Sequence, residues 1–140
     1  LLAEFTQMRL GIEPQAAALA AQAVGRGQAE MLPPIRAALA RMRAAGTGDD
    51  DPLASDIAFH VAILHASGNR FLVQLRELVD TALRISIRMA DARKGVALAS
   101  EDDHARVLHA IEAGDPVAAA AAMRALLGEA LDLIEAAHGH

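Results

Sequence analysis

Residues 53–69 read Leu53-Ala54-Ser55-Asp56-Ile57-Ala58-Phe59-His60-Val61-Ala62-Ile63-Leu64-His65-Ala66-Ser67-Gly68-Asn69. The spacing predicts a helix from about Leu53 to Ala66 that stops at Gly68, after which Asn69 caps the next helix. Phe59 and Ile63 lie on an apolar face with Ala62. Asp56 and His60, four apart, fall one turn apart on a single neighbouring face, so the pair can sit at the edge of a core and point inward.

The same reading extends in both directions. A first helix is expected from about Leu2 to Arg26, where Leu10, Glu13, Ala17 and Ala20-Ala21 recur at helical spacing and Gly25 with Gly27 ends the run. A second runs from about Ala29 to Ala45, with Pro33-Pro34 in its first turn and Ile35, Leu39 and Met42 as its stripe. Gly46 to Pro52 reads as a linker. The helix capped by Asn69 reaches about Asp91 and is broken by Arg93-Lys94-Gly95. Ser100 and Asp103 resemble a capping box opening a fifth helix to Ala113. Asp115 and Pro116 then start a sixth, which continues to about Ala137. Helices of this length with short connections imply an all-α antiparallel bundle forming one domain over residues 1–140.

Composition supports this fold class and narrows the function. Of 140 residues, 34 are alanine; hydrophobic residues make up 54% and aromatics 2%, with no Trp, Tyr or Cys. High apolar content argues against disorder, and the Ala, Leu, Arg and Glu bias favours helices over strands. The absence of Cys excludes a disulfide scaffold, a Cys-ligated zinc finger, an iron–sulfur site and a thiol enzyme. The net charge of −5 argues against direct contact with a nucleic-acid backbone. No apolar run approaches the ~20 residues that span a bilayer, so no membrane partner is expected. Leu1-Leu2-Ala3-Glu4-Phe5 lacks the pattern of a signal peptide and an initiator Met, which suggests a piece of a longer, cytoplasmic protein.

A second histidine, His104, lies in Asp102-Asp103-His104-Ala105-Arg106-Val107-Leu108, with Leu108 one turn on and Val107 and Ile111 flanking that face. On spacing alone, Asp56 and His60 read as a surface or capping pair, and a lone His104 as a core residue. Taken together they form a candidate set of two imidazoles and one carboxylate, which suits Zn, Ni, Mn or Fe with coordination positions left open.

Five stretches carry a family resemblance: Arg9 to Ala17 with Leu19-Ala20-Ala21; Asp56 to His60; Ala66-Ser67-Gly68-Asn69-Arg70-Phe71-Leu72; Asp103 to Asp115; and Ala118 through Met123-Arg124-Ala125-Leu126-Leu127. In order and spacing they resemble the effector-sensing (FCD) domain at the C-terminus of FadR-like GntR transcriptional regulators. The resemblance implies six or seven helices around a central cavity, where many members hold a divalent metal beside a small organic acid. Asp56, His60 and His104 match the family's metal-ligand positions. The last family ligand is a His in the final helix, and Leu126 stands at its position. The departure leaves two readings: a three-ligand site for Zn, Ni or Mn completed by water or an effector carboxylate, or a metal-free cavity. His65 and His109 are displaced around their helices and offer no substitute; His138 and His140 fall in the tail.

The resemblance also supplies effector-binding candidates. Arg9 matches an arginine of the first-helix pattern, suited to forking a carboxylate; the competing reading is an intrahelical pair with Glu13. Arg88, one turn after Arg84, is either cavity-facing or solvated. Asn69 is read first as a cap and second as a ligand contact. The implied protein is not an enzyme. It is a homodimeric sensor that couples a small carboxylate effector to DNA through a winged helix-turn-helix N-terminal to Leu1. Two alternatives stand beside it: a metal-dependent hydrolase using Glu101, Asp102 or Asp103 as base, and a purely structural dimerisation bundle.

Overall fold

The computed structural model describes residues 1–92 and 101–138, with side chains described outside 87–92, 130, 133–135 and 137–138. Ser100 and the Arg93-Lys94-Gly95 breaker therefore lie outside the described residues. The described part is all helix: α1 (Leu2–Gly25), α2 (Leu32–Gly46), α3 (Pro52–Ala66), α4 (Arg70–Val73), α5 (Arg76–Ala92), α6 (Glu101–Glu112) and α7 (Pro116–His138).

α1 is the central rod, packed against α7, α3, α6 and α5. Its contact surface is built from Ala16, Ala17, Ala20 and Ala21, all fully buried. Side chains this short bring helix axes to the close end of the usual packing range. Larger groups fill the space around them: Ile35 and Leu39 of α2, Phe59, Ile63 and Leu64 of α3, Val107 and Ile111 of α6, Met123 and Leu127 of α7. The helix passes through Pro14 without ending, although proline removes the N–H that would bond the Leu10 carbonyl. Burial of α1 among four neighbours offsets that local loss.

Helix starts follow from particular side chains. Asp51 accepts from the Leu53 N–H at 3.0 Å and Pro52 occupies the first turn, so α3 begins inside the stretch expected to be a plain linker. Asn69 accepts from the N–H groups of Phe71 and Leu72 at 2.9 and 3.2 Å. The helix it caps is shorter than expected. It ends at Val73, and a turn at Gln74 and Leu75 precedes α5. No glycine or proline marks this break. Instead, Leu75 N–H bonds the Leu72 carbonyl at 3.0 Å and the Arg76 guanidinium donates to the Val73 carbonyl at 3.1 Å, satisfying the exposed end. After the break, α5 buries Val79, Ala82 and Leu83 against the bundle. Burial gained in the tertiary structure thus overrides a locally continuous helical pattern.

The α6–α7 corner packs closely against the end of α1. Gly114 has φ +68°, and the Asp115 N–H closes back onto the Ala110 carbonyl at 3.1 Å, a Schellman-type ending. A Cβ there would also lie 3.1 Å from the Gly25 Cα at the end of α1. Gly114→Ala should therefore cost about 1–3 kcal/mol, combining the left-handed backbone penalty with overpacking. Urea unfolding checks this, and an unchanged midpoint would contradict the close approach.

Candidate metal and anion site

Helical geometry places Asp56 and His60 one turn apart on α3, and α6 carries His104 across from them. All three are buried, with residue exposures of 7%, 1% and 0%. The surface reading that spacing alone supported for Asp56 and His60 is therefore overturned. The packing of α3 against α1 covers this face, and an isolated helix carries no information about that cover.

The three groups converge. His60 Nε2 lies 3.1 Å from Asp56 Oδ1, His104 Nε2 lies 3.2 Å from the same oxygen, and the two Nε2 atoms are 3.2 Å apart. Phe59 packs edge-on against His104, with centroids 4.9 Å apart, and helps fix the ring. Ligand atoms ~2.1 Å from one ion are separated by ~3.0 Å on an octahedral edge and ~3.4 Å on a tetrahedral one. The observed triangle falls between these two edges.

α1 adds a second layer. Glu13, fully buried, places Oε1 against His60 Nδ1 and Oε2 2.5 Å from Arg9 Nε. Burial opposes ionisation of Glu13, but the charges of Arg9 and His60 outweigh it and hold the carboxyl at about 2. The carboxylate can only accept, so His60 Nδ1 carries the proton and donates it. Asp56 likewise accepts from Nε2 of the charged ring, and only loss of that proton turns the Nε2 lone pair toward Asp56. Asp56 is itself held far below the usual carboxylate range: burial opposes this, and hydrogen bonds from His104 and His60 outweigh it. Once the Nε2 proton is lost, lone pairs converge on one point, where a cation can take the place of the proton. The donor set thus fits a divalent ion, with Asp56, His60 and His104 as the residues that would hold it.

Among the described residues, Arg9 Nη2 is buried without a hydrogen-bond partner. The intrahelical reading of Arg9 is correct for Nε, but that leaves one guanidinium nitrogen unspent. Sequence reasoning gave Glu13 no part in the site beyond pairing with Arg9. Its only signal was a carboxylate on the apolar stripe of α1.

The remaining candidates are placed as follows. Asn69 Oδ1 is occupied by the α4 cap. The Arg88 side chain lies outside the described residues. Arg84 is half-exposed and pairs with Asp80 at 2.5 Å. His65 and His109 are exposed, the His138 side chain and His140 lie outside the described residues, and Leu126 is buried in the core cluster. A groove of about 490 Å³ between α2 and α3, lined by Met31, Pro34, Ala58, Val61, Ala62, His65 and Ala66, contains none of the three converging groups.

The profile of the FCD domain family matches residues 4–129. The chain belongs to the FCD domain family. No curated protein matches it. Among solved structures, the fold is similar to Streptococcus agalactiae GntR, with a TM-score of 0.75 and 22% identity, covering 94% of this chain and 58% of that one. The chain thus spans somewhat over half the length of that relative. No helix of this FCD domain is long and apolar enough, among the described residues, to cross a membrane.

The His60 environment sets a pH dependence for the FCD site. Burial disfavours the charged ring, but the Glu13 carboxylate outweighs it and the pKa is raised. Its stabilising contribution is present below the unfolded value of about 6.5 and is lost as pH rises through the folded value. The lowered Asp56 and Glu13 act in the opposite sense, stabilising above about 4 and less at lower pH. Metal-free protein should therefore be most stable between about pH 4 and 6.5. Zinc held there would displace the Nε2 proton of His60, so apparent affinity should climb through neutrality, by up to about tenfold per pH unit for one proton. Melting curves and chelator competition across pH measure both; a flat zinc profile would contradict the assignment of His60.

Proposed function

We propose that this FCD domain is the sensing part of a GntR-type transcriptional regulator, binding a small organic carboxylate beside a divalent metal held by Asp56, His60 and His104. The observation that carries this reading is the convergence of three buried donor atoms, linked through Glu13 to a buried Arg9 with an unspent Nη2. When bound, the ion would supply positive charge for a carboxylate oxygen. Arg9 would supply a directed donor for a second oxygen, and the dry surroundings would strengthen both interactions. Asn69 and Arg88 complete the proposed set of effector contacts. The effector would bind one arrangement of the bundle better than another, and a two-fold dimer would pass that difference to winged helix-turn-helix domains preceding residue 1. This reading places the protein in the cytoplasm.

A hydrolase has less support. Glu101 and Asp102 are exposed in the first turn of α6, where negative charge serves the helix terminus. Glu13 is already engaged by two partners.

The test is metal analysis of protein purified without chelator, followed by a melting screen of small organic acids with and without Zn or Ni. Metal is expected to raise the melting temperature, and a subset of carboxylates to raise it further. Saturation to ~100 times Kd corresponds to about 2.7 kcal/mol. If neither metal nor any carboxylate at millimolar concentration shifts melting, the structural-bundle alternative is preferred.

A further inference from the structure

Glu13 stands between two functions. One carboxylate oxygen meets His60 Nδ1 on α3; the other meets Arg9 Nε at 2.5 Å, one turn earlier on α1. Both partners donate, so the residue at position 13 must present two acceptors at once. Among side chains of this length only glutamate does so; glutamine has a single oxygen, and its amide nitrogen is a donor. The fully buried position offers no bulk water to absorb a mismatch.

We propose that Glu13 is the positioning residue of the site, fixing the proton of His60 on Nδ1 so that Nε2 faces Asp56 and His104, while holding Arg9 with Nη2 unspent. This rests on the metal-and-anion reading above. Outer-sphere carboxylates on metal-bound histidines act in this way, fixing the tautomer and raising ligand basicity, and their loss typically costs 10–100-fold in metal affinity. The arrangement has a further consequence. Metal on His60 and anion on Arg9 draw on the same carboxylate, so each ligand should alter the other's affinity by the same factor.

Two variants test this. In Glu13→Gln the amide nitrogen must turn toward His60, because the Arg9 guanidinium can only donate while a neutral imidazole nitrogen can accept. Facing His60, it makes Nδ1 an acceptor and moves the ring proton to Nε2, where it blocks coordination. Zinc affinity should fall about 10–100-fold, and the ¹⁵N shifts of His60 in metal-free protein at neutral pH should show Nδ1 losing its proton. In the double variant Arg9→Met/Glu13→Gln the competing donor is gone. The glutamine oxygen can then serve His60, and no buried charge is left unpaired. Zinc affinity should return to within about tenfold of wild type.

Unchanged zinc affinity and His60 shifts in Glu13→Gln would overturn the proposal, as would a folded double variant that binds zinc more than about tenfold more weakly than wild type. If Glu13→Gln does not fold, the double variant compared with wild type decides alone by the same criterion. If the ring proton moves as expected but the wild-type protein takes up no zinc, the role of Glu13 stands and the metal reading falls.

Discussion

His60→Ala should abolish the zinc-dependent rise in melting temperature and lower zinc affinity by more than about a hundredfold, beyond the usual cost of an outer-sphere change. His60 is the hinge of the whole arrangement. Its Nε2 is 3.1 Å from Asp56 and 3.2 Å from His104, and its Nδ1 meets Glu13. Truncation removes one of three donors, leaving two that cannot close a coordination shell with protein atoms alone. It also strips Glu13 of one of its two partners in a fully buried setting. The metal-free protein should therefore lose stability as well, by roughly 1–3 kcal/mol for the unsatisfied carboxylate oxygen, before any cavity term. Metal analysis, chelator competition and urea unfolding separate the two effects. Zinc content equal to wild type would refute the ligand assignment, whatever the stability change.

Arg9→Met is expected to have the largest effect on the fold itself. It removes the cation beside Glu13 while keeping most of the side-chain volume. Breaking a buried pair from one side typically costs 3–5 kcal/mol, because the remaining charge is desolvated without compensation. The loss should depend on pH in a defined direction. In the wild type, Arg9 and His60 hold Glu13 at about 2 against the opposing effect of burial. That lowered value contributes stability above the unfolded carboxylate range near 4, which disappears as pH falls toward about 2. Without Arg9 the Glu13 pKa rises, and the variant gains back stability on acidification as Glu13 protonates. The difference between the two proteins should be greatest at neutral pH and shrink as pH falls through the raised Glu13 pKa of the variant. Stabilisation by carboxylates should also vanish, since the unspent Nη2 is gone. A difference under about 1 kcal/mol, or one constant with pH, would mean that the pair is not desolvated as described.

These two residues also show how far the chain could be read before it was folded. The apolar periodicity of α1, α2, α3, α6 and α7 was legible because it records which side of each rod faces inward, and glycine and capping residues mark most ends. The break between α4 and α5 was not legible. It has no local signal and arises from how Val79, Ala82 and Leu83 reach the core. The start of α3 at Pro52 was legible in principle, since Asp51-Pro52 is a cap followed by a first-turn proline. It was masked by the run of Gly and Asp before it.

The site divides along the same line. Helix spacing within one segment was enough to pair Asp56 with His60 and Arg9 with Glu13, because residues four apart on a helix are neighbours whatever else the chain does. The meeting of α1, α3 and α6 depends on tertiary packing. Only that packing buries Asp56 and His60, brings His104 within 3.2 Å of both, and turns Glu13 from a helical ion-pair partner into the acceptor of the His60 proton. Local periodicity specifies a direction around a single axis. Distances between side chains on different axes are set by how closely the alanine faces let the helices approach, and that is a property of the assembled bundle.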